Sequence, residues 1–273
     1  MLRLVIPISH TDAELALSLL KHLSETSDSA RNAPITLVLS NSVAPDEEKF
    51  RAAASEVSED VTVKILNTED ERGWPWSANH VFQAAVRFLA DAQNKNPWIW
   101  LEADCTPLTR DWLAQIETEY NRAGKPYLGT VRPTNLRDSE GVIQGTDGNH
   151  LIGVAVYPPN FHKRSILWNY LAEGPFDVYC RWEIVPVAHN SDLFAHTWRA
   201  SNFRGEREKG FLWDGEDQTP IPAMSVLHHG CKDGSLLKIL RGEVPPPPAP
   251  TKPTGKSRTV PVIKLEVDED GGE

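Results

Sequence analysis

The first half of this chain predicts an α/β fold with a largely parallel sheet, on two observations. Short apolar runs of strand character recur at residues 2–8, 35–39, 61–66 and 98–101. Between them lie segments whose apolar residues return every three or four positions, the spacing of a helix face. Strand alternating with helix four times builds a parallel sheet with right-handed crossovers.

The elements follow in order. Residues 2–8 read as a buried first strand. Thr11 and Glu14 stand at capping-box spacing, and Leu15, Leu19, Leu20 and Leu23 make one face of the helix behind them. The second strand, 35–39, ends at Ser40-Asn41. The polar, alanine-rich segment from Asp46 to about Val57 reads as a surface helix, and 61–66 as a third strand. Ser77 is placed to cap a helix whose inward residues are Val81, Ala84, Ala85, Phe88 and Leu89. After the strand at 98–101, Thr109 opens a helix with Trp112, Leu113 and Ile116 inward, stopped near Gly124. Beyond it, 127–131 reads as a strand, 138–149 as a Gly- and Asp-rich loop, and 150–157 as a strand that Gly153 opens to a close neighbour. A helix is expected around 161–171, an edge strand at 192–198 and a charged loop at 202–219, after which 224–227 leads into His228-His229-Gly-Cys, where a surface turn is the bland alternative to a functional role. From Val244 the six prolines between Pro245 and Pro253 and an acidic end are expected to make an extended, disordered tail, in which 259–267 alternates weakly enough to suggest an added sheet edge.

The strand at 98–101 ends in Glu102 and Asp104, separated by Ala103. On an extended backbone residues two apart point to one side, so both carboxylates can address one point. They repel there unless a cation intervenes, and Mg2+ or Mn2+ takes oxygen ligands. Alone, such a pair serves as readily as an acidic strand end. In open parallel sheets, however, ligands bind beyond the carboxyl ends of the strands, where Ser9, His10, Asn41 and residues 67–70 also fall.

The formal net charge of -10 argues against a broad basic surface for nucleic acid. Cys105, Cys180 and Cys231 form no C-x-x-C pair, which fits a reducing cytoplasm. Residues 2–8 are too short for a signal core, and no apolar run approaches the roughly 20 residues of a membrane span.

Three motifs carry a resemblance: Gly73-Trp-Pro-x-x-x-Asn79, Glu102-Ala103-Asp104, and His229-Gly-Cys-Lys-Asp-Gly-Ser235. Together they resemble the GT-A class of nucleotide-sugar glycosyltransferases, most closely the small ones of phage and bacterial genomes, over about residues 1–240. The resemblance implies a GT-A domain at 1–243, with a nucleotide-sugar half to about 108 and an acceptor half after it; the tail, 244–273, stands outside and could bind a partner protein. It implies that Glu102 and Asp104 take the place of the D-x-D motif and hold Mn2+ or Mg2+. Glu at the first position departs from the commonest pattern, so Asp104 is the surer ligand. A late His completes such shells: His229, or its neighbour His228. Lys232 would meet the donor's phosphates. Pro7, Ser9, His10, Asn41, Trp74 and Asn79, with Ala103 between the two carboxylates, would line the donor, a UDP-sugar first, although Asn79 fits a helix's first turn as well and Trp74 and Trp76 fit packing roles. For the catalytic base the resemblance favours Asp177, with Asp217 and Glu183 behind it. In phage, such enzymes glycosylate hydroxymethylated pyrimidines of DNA. Lys163-Arg164, Arg199, Arg204, Arg207, Lys209 and the stretch 232–241 are the basic residues available to grip a duplex, and Trp182, Trp198 and Trp213 the aromatics; a saccharide acceptor would use the same aromatics.

Two rivals differ in class. A nucleotidyltransferase on this architecture would carry a Gly-rich phosphate loop after its first strand, where this chain reads Pro-Ile-Ser-His-Thr-Asp. A non-catalytic binding module would have no need of a metal site.

Overall fold

The computed structural model describes residues 1–67, 70, 72–137, 143–170, 174–200 and 221–243. In chain order the strands and helices are β1 (Arg3–Ile8), α1 (Ala13–Thr26), β2 (Ile35–Leu39), α2 (Glu47–Ser55), β3 (Val61–Ile65), α3 (Trp76–Asp91), β4 (Trp98–Trp100), β5 (Cys105–Pro107) and α4 (Trp112–Ala123). There follow β6 (Tyr127–Arg137), β7 (Ile143–Tyr157), α5 (Phe161–Arg164), α6 (Phe176–Tyr179), α7 (Arg181–Ile184), β8 (Ala188–Asn190), β9 (Phe194–Ala200), β10 (Leu227–Cys231) and α8 (Ser235–Leu240).

Seven strands form the main sheet in the order β3-β2-β1-β4-β7-β6-β8. The four strands anticipated in the first half lie parallel, and β7 then pairs antiparallel with β4 and β6. Alternation along the strands feeds two layers. Leu4, Ile6, Ile99 and Leu101 pack with α1, α2 and α4, whereas Val5, Trp98 and Trp100 pack with α3, α5 and α6. The second layer is aromatic: Phe82 stacks on Phe176 at 3.7 Å and meets Trp100 edge-on at 5.3 Å. Pro7 lacks a backbone donor, yet sits in β1 beyond the residues that pair with β4, so no ladder bond is lost there.

A second sheet of three strands, β5-β10-β9, stands beyond the end of β4. The short β5 was not anticipated, because Cys-Thr-Pro has neither the length nor the alternation of a readable strand. The histidine pair lies on β10, not on a surface turn, since both neighbouring strands offer it ladder partners.

Four local expectations give way. The capping box does not form: Ser9 and Thr11 hydroxyls bond each other at 2.8 Å, Ser9 also bonds Asp12 at 2.8 Å, and Asp12 takes the cap position without a side-chain cap bond. Ser77 lies inside α3, whose cap position is Pro75. Residues 143–149 belong to β7 instead of a loop, because they pair across to β6. The helix expected at 161–171 breaks after Arg164, where Ser165 is extended and the Glu183 carboxylate takes the next amide groups, Ile166 N–H at 3.1 Å and Leu167 N–H at 3.3 Å. Gly124 ends α4 as expected, with φ +60°.

Candidate active site and metal centre

Glu102 and Asp104 follow β4 on a turn closed by Cys105 N–H to Glu102 C=O at 2.9 Å. Their side chains keep the parity of Trp98 and Trp100, while Leu101, Ala103 and Cys105 point into the other layer. The antiparallel register of β10 on β5 then sets His229 opposite Cys105, next to Asp104. One atom each from Glu102, Asp104 and His229 lies within 4.8 Å of the others. His229 Nε2 is 3.3 Å from Glu102 Oε2 and 3.5 Å from Asp104 Oδ1. Lys232 reaches back from the turn after β10 to place Nζ 2.5 Å from Asp104 Oδ2.

Gly230 makes this possible. Its φ is +110°, and a Cβ there would sit 2.0 Å from the Thr197 carbonyl oxygen, so only glycine lets β10 bulge past β9 and return Cys231 N–H to Asp104 C=O at 3.3 Å.

The electrostatics are those of a closed charge set. Burial would raise the Glu102 carboxyl, but the hydrogen bond and charge of His229 and the charge of Lys232 outweigh it and hold the group at about 2. Burial would lower His229 and Lys232; the two carboxylates raise both instead. Glu102 Oε1 also accepts Trp100 Nε1–H at 3.2 Å. Behind His229, His196 Nδ1 lies 2.9 Å from His229 Nδ1, and burial with the neighbouring positive groups pushes His196 down to about 3.

The donor set fits a hard or borderline divalent cation: two carboxylates and one imidazole. Asp104 adds a further sign. Its side chain is 2% exposed, and the groups that face its oxygens are Lys232 Nζ on Oδ2, which hydrogen-bonds it, and His229 Nε2 on Oδ1. A buried carboxylate normally finds several donors; Lys232 supplies one here, and a metal ion would supply a further partner.

Asp177 opens α6 on the same side. Burial raises it to about 6, against bonds from the Val178, Asp177 and Gly153 amides, and Glu102's charge adds to the rise. Gly153 is where the two groups approach: a Cβ there would lie 3.0 Å from Phe176 Cζ and 3.7 Å from Glu102 Oε1. The close neighbour expected at that glycine is thus the Phe176 ring.

The remaining candidates divide. Glu183 accepts Ser165 Oγ–H and the Ile166 and Leu167 amides, so its carboxylate is committed to holding that turn. Asp217 lies outside the described residues, as do Asp214, Trp213 and the tail. Asn79 is buried and gives Nδ2–H to Gly174 C=O at 2.8 Å, tying α3 to the loop before α6; its Oδ1 has no partner among the described residues. Ser9 bonds Asp12, whose charge reaches Lys232. His10, Asn41 and Trp74 are exposed at the carboxyl end of the sheet. Lys163 and Arg164 line an open cleft of about 970 Å³ with Lys95 and Lys125 at the other end of the strands, beside three helix C-termini. Cations suit that place through the helix dipoles. His196 was not anticipated, because only the β9–β10 register makes it a neighbour of His229.

No family model matches the chain, and no curated protein sequence does. Among solved structures, mouse xyloside xylosyltransferase 1 in its apo form superposes with TM-score 0.46 at 14% identity, covering 84% of this chain and 97% of that one. S. aureus TarS 1–349 in complex with UDP-GlcNAc gives 0.40 at 13%, over 60% and 47%. The apo structure of the bifunctional glycosyltransferase WbbM gives 0.49 at 10%, over 72% and 40%. The chain therefore spans less than half of the latter two, and at such identities the chemistry rests on the side chains. No helix among the described residues is long and apolar enough to cross a membrane.

Proposed function

We propose that this chain is a metal-dependent glycosyltransferase that moves a sugar from a nucleotide-sugar, a UDP-sugar first, to an acceptor hydroxyl. The observation that carries this reading is the convergence of Glu102, His229 and the buried Asp104 carboxylate at one point beyond the parallel strands. The sequence resemblance to GT-A enzymes supports it.

Asp104, Glu102 and His229 would hold Mn2+ or Mg2+, which supplies Lewis acidity toward the departing diphosphate. Lys232, half exposed and held by Asp104 at its tip, would turn from that carboxylate to the phosphate oxygens as a point charge. Asp177 takes the acceptor hydroxyl's proton; a carboxyl at about 6 is basic enough to do so and still ionised near neutral pH. Trp182, 64% exposed and just past Asp177 in the chain, carries Arg181 over one face at 4.6 Å and would offer an acceptor the other.

One observation favours a second reading. Lys232 and His229 already balance the two carboxylates, so both cations could receive a diphosphate without metal.

For the acceptor, a hydroxymethylated pyrimidine in DNA is the first candidate and a saccharide the second. The DNA candidate stands on the resemblance: of its basic residues, Lys163 and Arg164 sit at the far end of the sheet and Arg241 is paired with Glu25 and Glu243.

The test incubates labelled donors with hydroxymethylcytosine DNA, plain DNA and simple sugars, with Mn2+ or with EDTA. Transfer that needs Mn2+ and disappears in Asp104→Asn is expected. Transfer unaffected by EDTA supports the metal-free reading, and label entering only sugars removes DNA. A parent-like rate in Asp104→Asn ends the proposal.

A further inference from the structure

Resting on the metal reading above, we infer that His196 is the positioning residue of the metal centre: its Nδ1 accepts the Nδ1–H of His229 and so fixes the tautomer that presents the His229 Nε2 lone pair to the cation.

The argument begins with proton counting. A neutral imidazole carries one N–H, and the nitrogen that ligates a metal carries none. Nε2 of His229 faces Glu102 at 3.3 Å and Asp104 at 3.5 Å, so it is the ligating nitrogen and the proton belongs on Nδ1. That nitrogen lies 2.9 Å from His196 Nδ1, which can accept only if its own proton sits on Nε2. The opposite arrangement, with His196 donating, would force the His229 proton onto Nε2 and turn an N–H toward the metal position. The pair is therefore a lock with one metal-competent setting. Metal-bound histidines are ordinarily held this way by a carboxylate, a backbone carbonyl or water; here a second imidazole takes the part.

Backbone geometry holds the lock in place. His196 and His229 are register partners in the parallel pair β9–β10, with ring centroids 4.6 Å apart. The next residue on each strand is pinned as well, Gly230 against the Thr197 carbonyl. His196 also lines a cleft of about 500 Å³ between β6, β8 and β9.

The test reads Mn2+ affinity directly, by loss of the free-Mn2+ electron paramagnetic resonance signal as protein is added. His196→Phe keeps a ring but removes the acceptor, and should weaken Mn2+ roughly 10- to 100-fold, as loss of such partners does. His196→Asn places Oδ1 where Nδ1 was and should restore affinity to within about threefold of the parent, which a merely structural role would not require. Asp104→Asn serves as the reference. If Asp104→Asn loses Mn2+ while His196→Phe binds like the parent, the inference falls and the metal site stands. If Asp104→Asn also binds like the parent, the metal reading itself falls. Should His196→Phe not fold, nitrogen-15 NMR of the parent loaded with diamagnetic Zn2+ decides: an Nε2–H tautomer at His196 whose bare Nδ1 couples through the hydrogen bond to His229 Nδ1–H supports the inference, and an Nδ1–H tautomer at His196 overturns it.

Discussion

Asp177 shows how one residue can oppose stability and, on the proposed reading, serve chemistry. Its carboxyl stands at about 6, chiefly because it is buried, whereas the unfolded chain titrates near the ordinary value of 3.8. The folded state therefore binds more protons between those values, and stability falls as pH rises through that window. A shift of this size is worth on the order of 1–3 kcal/mol at neutral pH. Asp177→Asn should accordingly raise the melting temperature at pH 7.5 while slowing transfer about 100- to 10,000-fold. The parent rate should fall as pH drops through about 6, and that limb should vanish in the variant's residual rate. A variant that keeps full rate with the same pH profile moves the base elsewhere. Glu183 gives the contrast. Its carboxylate collects three donors at the Ser165 turn, so Glu183→Gln should cost about 1–3 kcal/mol in denaturant unfolding and leave the rate per folded molecule unchanged. A large loss of rate at parent stability would make it catalytic after all.

At the scale of elements, the β5-β10-β9 sheet is what turns separate residues into a site. β4 supplies Glu102 and Asp104, but only β10 brings in His229, and β10 reaches Asp104 through the bulge at Gly230. Gly230→Ala meets both a positive φ and the Thr197 carbonyl, so it should lose at least about 2 kcal/mol in urea unfolding and weaken Mn2+ together with stability. Parent-like stability there would mean that the bulge is not built as described. This division also explains what could be read from sequence. The parallel half was legible because each strand is an apolar run and each helix has a striped face, and Glu102 and Asp104 were legible because they end such a run. The site's second half was not. β5 is three residues long, β6 and β7 run on through polar residues, and α5 ends where Glu183, 19 residues beyond Arg164, takes the next peptide groups. His196 is invisible to spacing because strand register decides its neighbour.

For the whole molecule, the question is how much chain the fold and site require. The last described element, α8, buries Leu236 and Leu237, and Arg241 after it bridges to Glu25 on α1 at 3.1 Å and to Glu243 at 2.6 Å. Lys232, which touches Asp104, lies three residues before α8 begins, so docking of this helix anchors the turn that carries a candidate site residue. Residues 244–273 hold six prolines before Thr254 and end in acidic residues, a composition that cannot bury enough apolar surface to offset chain entropy. A chain stopped after Glu243 should thus keep the parent's melting temperature to within a degree or two, by the order of surface changes remote from packing, and transfer sugar at the parent rate. Stopping after Gly234 instead removes two buried leucines and the Arg241 bridge, and should cost several kcal/mol by the order of core truncations and weaken donor binding through Lys232. Calorimetry on the two truncated chains separates these outcomes. If the chain ending at Glu243 unfolds early, residues 259–267 contribute an edge to the fold; if it folds normally but loses transfer to one acceptor alone, the tail belongs to acceptor capture.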